Sequence, residues 1–301
     1  MTRPILFVLA TAAGLLPGLA APSLAQVAPP ARVLAFQDSL EGTDEVPLRW
    51  PVAVAAASDE EVAVADAASP RLLRFRRVGV SWQLDRAVPT GATPGGLAWD
   101  GRRYVASLRQ GGGLAAFEGA ELAQRKLPLP RGVVPGALAA DPAGHLLVYD
   151  SAGRRVLRLG ADGGVSAEVA VGDDVTALAA TPAGGFYAAV ASAGSVLHFD
   201  AAGSLDATWK LPASEGVPAW PTGLVAEAGG DVFVVDRHAG RILLLDGTGQ
   251  VRGVGSRQGW EPGLLLFPAG IARLPGGLLL VADEGNGRAQ LFRRTDAGTR
   301  P

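Results

Sequence analysis

Phe267-Pro268-Ala269-Gly270-Ile271-Ala272 is followed by Gly276-Gly277, by an apolar run from Leu278 to Val281, by Ala282-Asp283, and then by Arg288. This stretch decides the fold because it recurs. Trp220-Pro221-Thr222-Gly223-Leu224-Val225 leads to Val232-Phe233-Val234-Val235-Asp236 and Arg241. Val134-Pro135-Gly136-Ala137-Leu138-Ala139 leads to Leu146-Leu147-Val148-Tyr149-Asp150 and Arg155. Trp50-Pro51-Val52-Ala53-Val54-Ala55 leads to Val62-Ala63-Val64-Ala65-Asp66 and Arg71. In all four copies the proline lies 15 residues before the aspartate, and the aspartate five before the arginine.

Two further copies are degraded. Pro94-Gly95-Gly96-Leu97-Ala98 leads to Tyr104-Val105-Ala106, with Ser107 read in the place of the aspartate and Gly112 in that of the arginine. Val175-Thr176-Ala177-Leu178-Ala179 leads to Phe186-Tyr187-Ala188-Ala189, with Val190 and Ser195 in those places. The anchors at 51, 94, 135, 175, 221 and 268 are spaced 43, 41, 40, 46 and 47 residues apart. Fixed self-similarity at this period marks a repeat architecture.

Each unit reads as four short strands. The run after the proline is the first, and a turn such as Asp141-Pro142-Ala143-Gly144 follows, its glycine supplying φ > 0 at little cost. The run ending at the aspartate is the second, the run after the arginine the third, and a short, more polar segment the fourth. Four strands in a unit of this size indicate a propeller blade. The expectation is an all-β, six-bladed β-propeller of four-stranded blades. The last copy has no fourth strand of its own, whereas Arg32 to Gln37 form an orphan strand. Placing that strand on the outside of the last blade closes the ring and removes an open edge.

The Pro-x-Gly-Ile/Leu-Ala start, the Val-x-Asp end of the second strand and the Asp-x4-Arg link resemble the NHL-repeat propellers, in their secreted bacterial form. The resemblance covers about residues 46 to 293 and is weak in the second and fourth copies. Within that family the aspartate–arginine pair ties the turn between the second and third strands. A catalytic group rarely recurs in four equivalent places, so the pair reads as turn geometry, worth only about 0–1 kcal/mol if exposed.

The N-terminus reads as an address. Arg3 precedes an apolar stretch from Ile5 to Leu19, and Ser23-Leu24-Ala25 offers small residues for cleavage before Gln26. Residues 1–25 are expected to be a signal peptide and 26–301 the propeller, placed in the periplasm or outside the cell. The apolar run is too short and interrupted for a span of about 20 residues, so no membrane span is expected. Without cysteine, there is neither a lipoprotein site nor a disulfide.

Lys+Arg 27 against Asp+Glu 29 leaves no excess of cations for a phosphate backbone, so no nucleic-acid partner is expected. Gly253-x-Gly255-x3-Gly259 lacks the spacing and βαβ context of a nucleotide loop and reads as a connection between blades. His145, His198 and His238 fall at three different positions of the repeat, unlike the three histidines that hold zinc in a peptidylglycine lyase of related fold. The channel-facing positions carry Val, Gly, Gly, Thr and Ala. They lack the acidic and amide ligands of gluconolactonase-like relatives. No metal, cofactor or catalytic residue is expected.

Strands within a blade are antiparallel, so residues before each proline and after each aspartate share a face. That face collects Arg49, Trp50, Arg109, Gln110, Trp220, Arg237, His238, Glu284 and Asn286. Tryptophan and arginine are enriched at binding hot spots. The expected role is a monomeric binding or scaffold module that recognises a peptide, glycan or partner protein through this face. A lyase or lactonase-like hydrolase on the same scaffold is the alternative.

Overall fold

A computed structural model describes residues 31–172 and 174–295. The proposed signal peptide lies outside the described residues. Six four-stranded antiparallel sheets follow one another round a ring. Blade 1 holds β2 (Pro51–Ala56), β3 (Glu61–Asp66), β4 (Arg71–Val78) and β5 (Ser81–Pro89). Blade 2 holds β6 (Pro94–Trp99), β7 (Tyr104–Leu108), β8 (Gly113–Glu118) and β9 (Ala123–Leu127). Blade 3 runs through β10 (Pro135–Ala140), β11 (Leu146–Asp150), β12 (Arg155–Leu159) and β13 (Val165–Ala170). Blade 4 comprises β14 (Val175–Ala180), β15 (Phe186–Val190), β16 (Ser195–Phe199) and β17 (Leu205–Lys210). Blade 5 comprises β18 (Pro221–Ala226), β19 (Val232–Asp236), β20 (Arg241–Leu245) and β21 (Val251–Gly255). Blade 6 has β22 (Gly270–Arg273), β23 (Leu278–Asp283) and β24 (Arg288–Arg294), and takes β1 (Leu34–Leu40) as its outer strand. Each first strand touches the first strands of both neighbouring blades, from β2 round to β22 and back.

The sequence pattern explains why blades stack. Second and third strands are apolar on both faces, as in Val232-Phe233-Val234-Val235, where all four side chains are fully buried. Burial on both faces is the signature of a strand covered from both sides. Six hydrophobic clusters result, one between each pair of neighbouring blades. Fourth strands, such as β13 and β9, are mostly exposed and more polar.

Ring closure follows the expected route with different limits. The closing strand reaches Leu40 rather than Gln37, pairing from Leu34–Arg294 to Leu40–Ala289 with a bulge at Gln37. Val33, Leu34 and Leu40 are buried, and Phe36 meets Phe292 edge-on at 6.3 Å. Ala31 and Val33 also hydrogen-bond Val254 of blade 5. Gly253 and Gly255 lie in β21, not in a connection between blades. A Cβ at Gly253 would fall 2.1 Å from Val33 Cγ1, and one at Gly255 2.4 Å from Leu34 Cδ1. Glycine at these two places admits the closing segment.

The register corrects one reading of blade 2. Pro94 pairs with Leu108, and Leu108 with Gly113. Leu108 and Gly113, not Ser107 and Gly112, therefore stand where other blades carry the aspartate and arginine. The proline-to-pair spacing here is 14 residues, against 15 in blade 1. In blade 4 Val190 pairs with Ser195, as expected.

Candidate functional site

The geometry of the proline-side face begins with the aspartates. Asp66, Asp150, Asp236 and Asp283 are all buried. Asp66 accepts hydrogen bonds from the amides of Trp50 (3.0 Å) and Ala68 (3.1 Å) and from Arg71 Nη2 (3.1 Å). Asp150 accepts from Val134 N (3.0 Å) and Arg155 Nε (3.1 Å), and Asp236 from Trp220 N (3.0 Å) and Arg241 Nε (2.9 Å). Asp283 accepts from Leu266 N, Asn286 Nδ2, Arg288 Nε and Gln290 Nε2 at 2.7–3.0 Å. Each clamp thus holds both its own hairpin and the connector arriving from the previous blade. Because the carboxylates are buried, the small value of an exposed pair does not apply; breaking a buried pair costs about 3–5 kcal/mol.

Environment tunes the same aspartate in opposite directions. At Asp150 burial is the largest influence and pushes the carboxyl up. The amides of Val134 and Gly153, with the Arg155 guanidinium, outweigh it and hold the group below the usual carboxylate range. At Asp283 burial again leads, and there it wins over the Leu266 amide, Asn286 and Arg288, so the group sits above that range.

The nine face residues divide by what they touch. Trp50 is 50% exposed, and Arg49 beside it is exposed as well. Trp220 is half-buried and stacks on His238 with ring centroids 5.1 Å apart. Arg237 is committed to the ring. It forms a two-pronged bond to Glu284 (2.8 and 2.6 Å), donates to Phe267 O (2.8 Å) and lies over the Phe267 ring. Asn286 is likewise engaged, donating to Asp283 Oδ2 and to Gly259 O. Trp220, Arg237, His238, Glu284 and Asn286 thus gather over blades 5 and 6. Arg109 and Gln110 are exposed on blade 2, away from that group.

Sequence reading missed Trp260, 74% exposed, and Phe267, 43% exposed. Both lie on the connector from Gly255 to Pro268, which Arg288 holds to this face through Trp260 O and Glu261 O (both 2.8 Å). The anchor spacings of 46 and 47 residues, longer than the other three, were the signal for enlarged connectors. The opposite face carries tight turns. In these, Asp141, Asp200 and Asp246 each accept their own loop amides.

The axial channel is narrow. Its cavity is about 60 Å³, lined by Val52, Gly95, Thr176, Thr222 and Ala269 among others. Thr176 and Thr222 donate their hydroxyls to Pro221 O (2.6 Å) and Pro268 O (2.9 Å), stitching neighbouring blades. The histidines are separated. His145 bonds Asp141 on the turn face, His198 stacks on Tyr187 and meets Asp206, and His238 lies on the proline side.

No family model matches the chain, and no curated protein matches it. Solved structures do match its fold. A Bacteroides thetaiotaomicron structural genomics protein of unknown function superposes with a TM-score of 0.70 at 16% identity, covering 88% of this chain and 76% of that one. An auxiliary nutrient binding protein from the same organism gives 0.65 at 11% identity, covering 88% and 77%. A streptogramin B lyase gives 0.60 at 13% identity, covering 87% and 98%. These are likenesses of fold. The chain is a six-bladed β-propeller. Among the described residues no helix is long and apolar enough to cross a membrane.

Proposed function

We propose that this propeller is an exported, monomeric NHL-type binding module. Its proline-side face recognises a peptide, glycan or partner protein. The observation that carries the reading is the asymmetry of the two faces. Trp50, Trp260 and Phe267 stand exposed on the proline side at 50%, 74% and 43%, while the aspartate turns opposite are closed on themselves. Exposed aromatics on loops over a rigid scaffold are the usual makings of a recognition surface. Arg49, Arg109, Gln110, Trp220 and His238 complete it, with Arg237, Glu284 and Asn286 supporting the loops.

The test is a screen of glycan and peptide arrays, followed by binding measurements on Trp50→Ala and Trp260→Ala against Asp141→Ala and Asp200→Ala. The tryptophan variants should fold and lose binding by at least tenfold, the equivalent of about 1.4 kcal/mol. Binding lost only in the aspartate variants would place the site on the wrong face.

A lyase or lactonase-like hydrolase is the second reading. The fold shared with a streptogramin B lyase favours it, and a related Staphylococcus aureus virginiamycin B lyase structure holds quinupristin. Turnover of quinupristin by the purified protein would favour catalysis over simple binding.

A further inference from the structure

Blades 2 and 4 both lose the clamp, and in blade 2 what the loss leaves behind is chemically specific. In the clamped blades a buried carboxylate faces the cation at the start of the third strand. In blade 2 Leu108 and Gly113 occupy those two places, so the edge has cations and no counter-charge. No carboxylate occurs in the chain between Asp100 and Glu118 or between Glu121 and Asp141. Glu118 and Glu121 belong to the turn joining β8 to β9 on the opposite face.

Arg109, Lys126 and Arg131 all lie on the proline side of this edge, and none has an ion pair or side-chain hydrogen bond among the described residues. Glycines shape the ground under two of them. A Cβ at Gly95 would lie 3.2 Å from Arg109 Nε, and one at Gly113 3.7 Å from Lys126 Cε. The space beyond Gly111 and Gly132 is open. The same Gly95 position is 3.5 Å from Ser107 Oγ, a fully buried hydroxyl without a hydrogen-bond partner. A concavity lined by Gly111, Gly113, Lys126, Leu127, Pro128 and Val133 opens beside Lys126, while the Arg109 side chain lies against Gly95 at the channel end of the same edge. One such cation at the open, glycine-walled recess and another at the inner end of the same edge suit successive carboxylates of an extended ligand, since charge-assisted bonds to carboxylates are the strong ones.

Across the face the sign reverses. Around the connectors into blades 1 and 6, Glu41, Asp44, Glu45 and Glu261 are exposed and have no ion pair among the described residues, and they outnumber Arg49 and Arg257 there. A uniformly anionic chain laid over the face would be repelled at that side. A ligand with its negative charge at one end would not.

We propose that the proline-side edge of blade 2 is a subsite for the carboxylates of an acidic peptide segment, held by Arg109 and Lys126 with Arg131 at the rim. This rests on the reading of the proline-side face as the binding surface, and it names the chemistry that one sector of that face selects. The deviation from the repeat is then the functional feature, as expected where local rules fail for a reason.

The probe is the tripeptide Asp-Asp-Asp, titrated at low salt into full-length, ¹⁵N-labelled protein and followed by amide shifts. We expect saturable shifts confined to 107–113 and 126–133, weakening as salt screens the charges. Arg109→Ala and Lys126→Ala should each weaken binding about tenfold. Arg109→Lys should keep most of it, and Arg77→Ala, an exposed cation on the opposite side, should keep all of it. Absence of saturable shifts in the parent would overturn the proposal. So would equal loss in Arg77→Ala, or binding of trigalacturonate at this edge where Asp-Asp-Asp fails. If Asp-Asp-Asp fails but a screened ligand still depends on Trp50 and Trp260, the subsite falls and the binding face stands. If nothing engages the face, both fall.

Discussion

Blades 6 and 2 are copies of one repeat put to different uses. In blade 6 the last residue of the second strand is Asp283, buried and bonded to four donors, one of which is Arg288. In blade 2 the equivalent residue is Leu108, and the nearby Arg109 and Lys126 have no side-chain partner among the described residues. The carboxylate in blade 6 gathers every polar group around it into holding a connector. In blade 2 that carboxylate is absent, so the blade has no clamp and its edge carries cations with no carboxylate beside them. A charged side chain on a propeller rim can therefore be structural or available, depending on whether a carboxylate stands within its reach.

The largest expected effect concerns how blade 6 is completed. Blade 2 draws all four strands from one continuous segment, whereas blade 6 borrows β1 from the other end of the chain. Deleting residues 31–40 would remove three buried side chains, Val33, Leu34 and Leu40. At about 1.5–3 kcal/mol each, the loss rivals the whole stability of an ordinary domain, about 5–15 kcal/mol. Urea unfolding should show a collapse of stability or no folded state. A deletion variant that melts like the parent would rule out this closure.

A smaller effect separates the two kinds of arginine. Arg288→Ala leaves Asp283 buried without its cation and should cost about 3–5 kcal/mol. Arg109→Ala removes an exposed, unpartnered group and should stay within about 0.5 kcal/mol. Similar losses for the two in chemical denaturation would mean that the clamp has no special role.

The smallest effect compares clamped blades with one another through pH. Asp150 is held below the ordinary range. Its contribution is present above the unfolded value of about 3.9 and is lost as pH falls through its lower folded value. Asp283 is pushed above the ordinary range, so the folded state binds its proton more tightly and gains stability as pH falls through the raised value. Measured from pH 7 to 3, the stability deficit of Asp150→Asn should shrink while that of Asp283→Asn grows. Parallel trends would show that the two sites do not differ in this way.

The ring and its blades were readable because repetition makes weak local signals add. Six copies of an apolar run and a glycine turn leave few other folds, and the orphan strand at Arg32 had only one edge to fill. The register of blade 2 was not readable, because apolar Leu108 holds the aspartate's place and the polar Ser107 beside it looks like the better match. At the candidate site the chain order fixed which residues share a face, but not which were spent. Arg237 and Arg109 look alike in sequence, yet one grips Glu284 and the other has no side-chain partner among the described residues. Trp260 was invisible for a different reason. It belongs to a connector with no repeat frame, so nothing in the pattern assigns it a side.

The central claim is that one face of the ring binds and the other only connects, and hydrogen exchange with and without a screened ligand tests it most directly. The account expects new protection at 49–50, 109–113, 126–134 and 256–267. It expects none in the turns at 58–61, 141–145 and 200–204. Protection confined to those turns, with the proline-side loops unchanged, would contradict it.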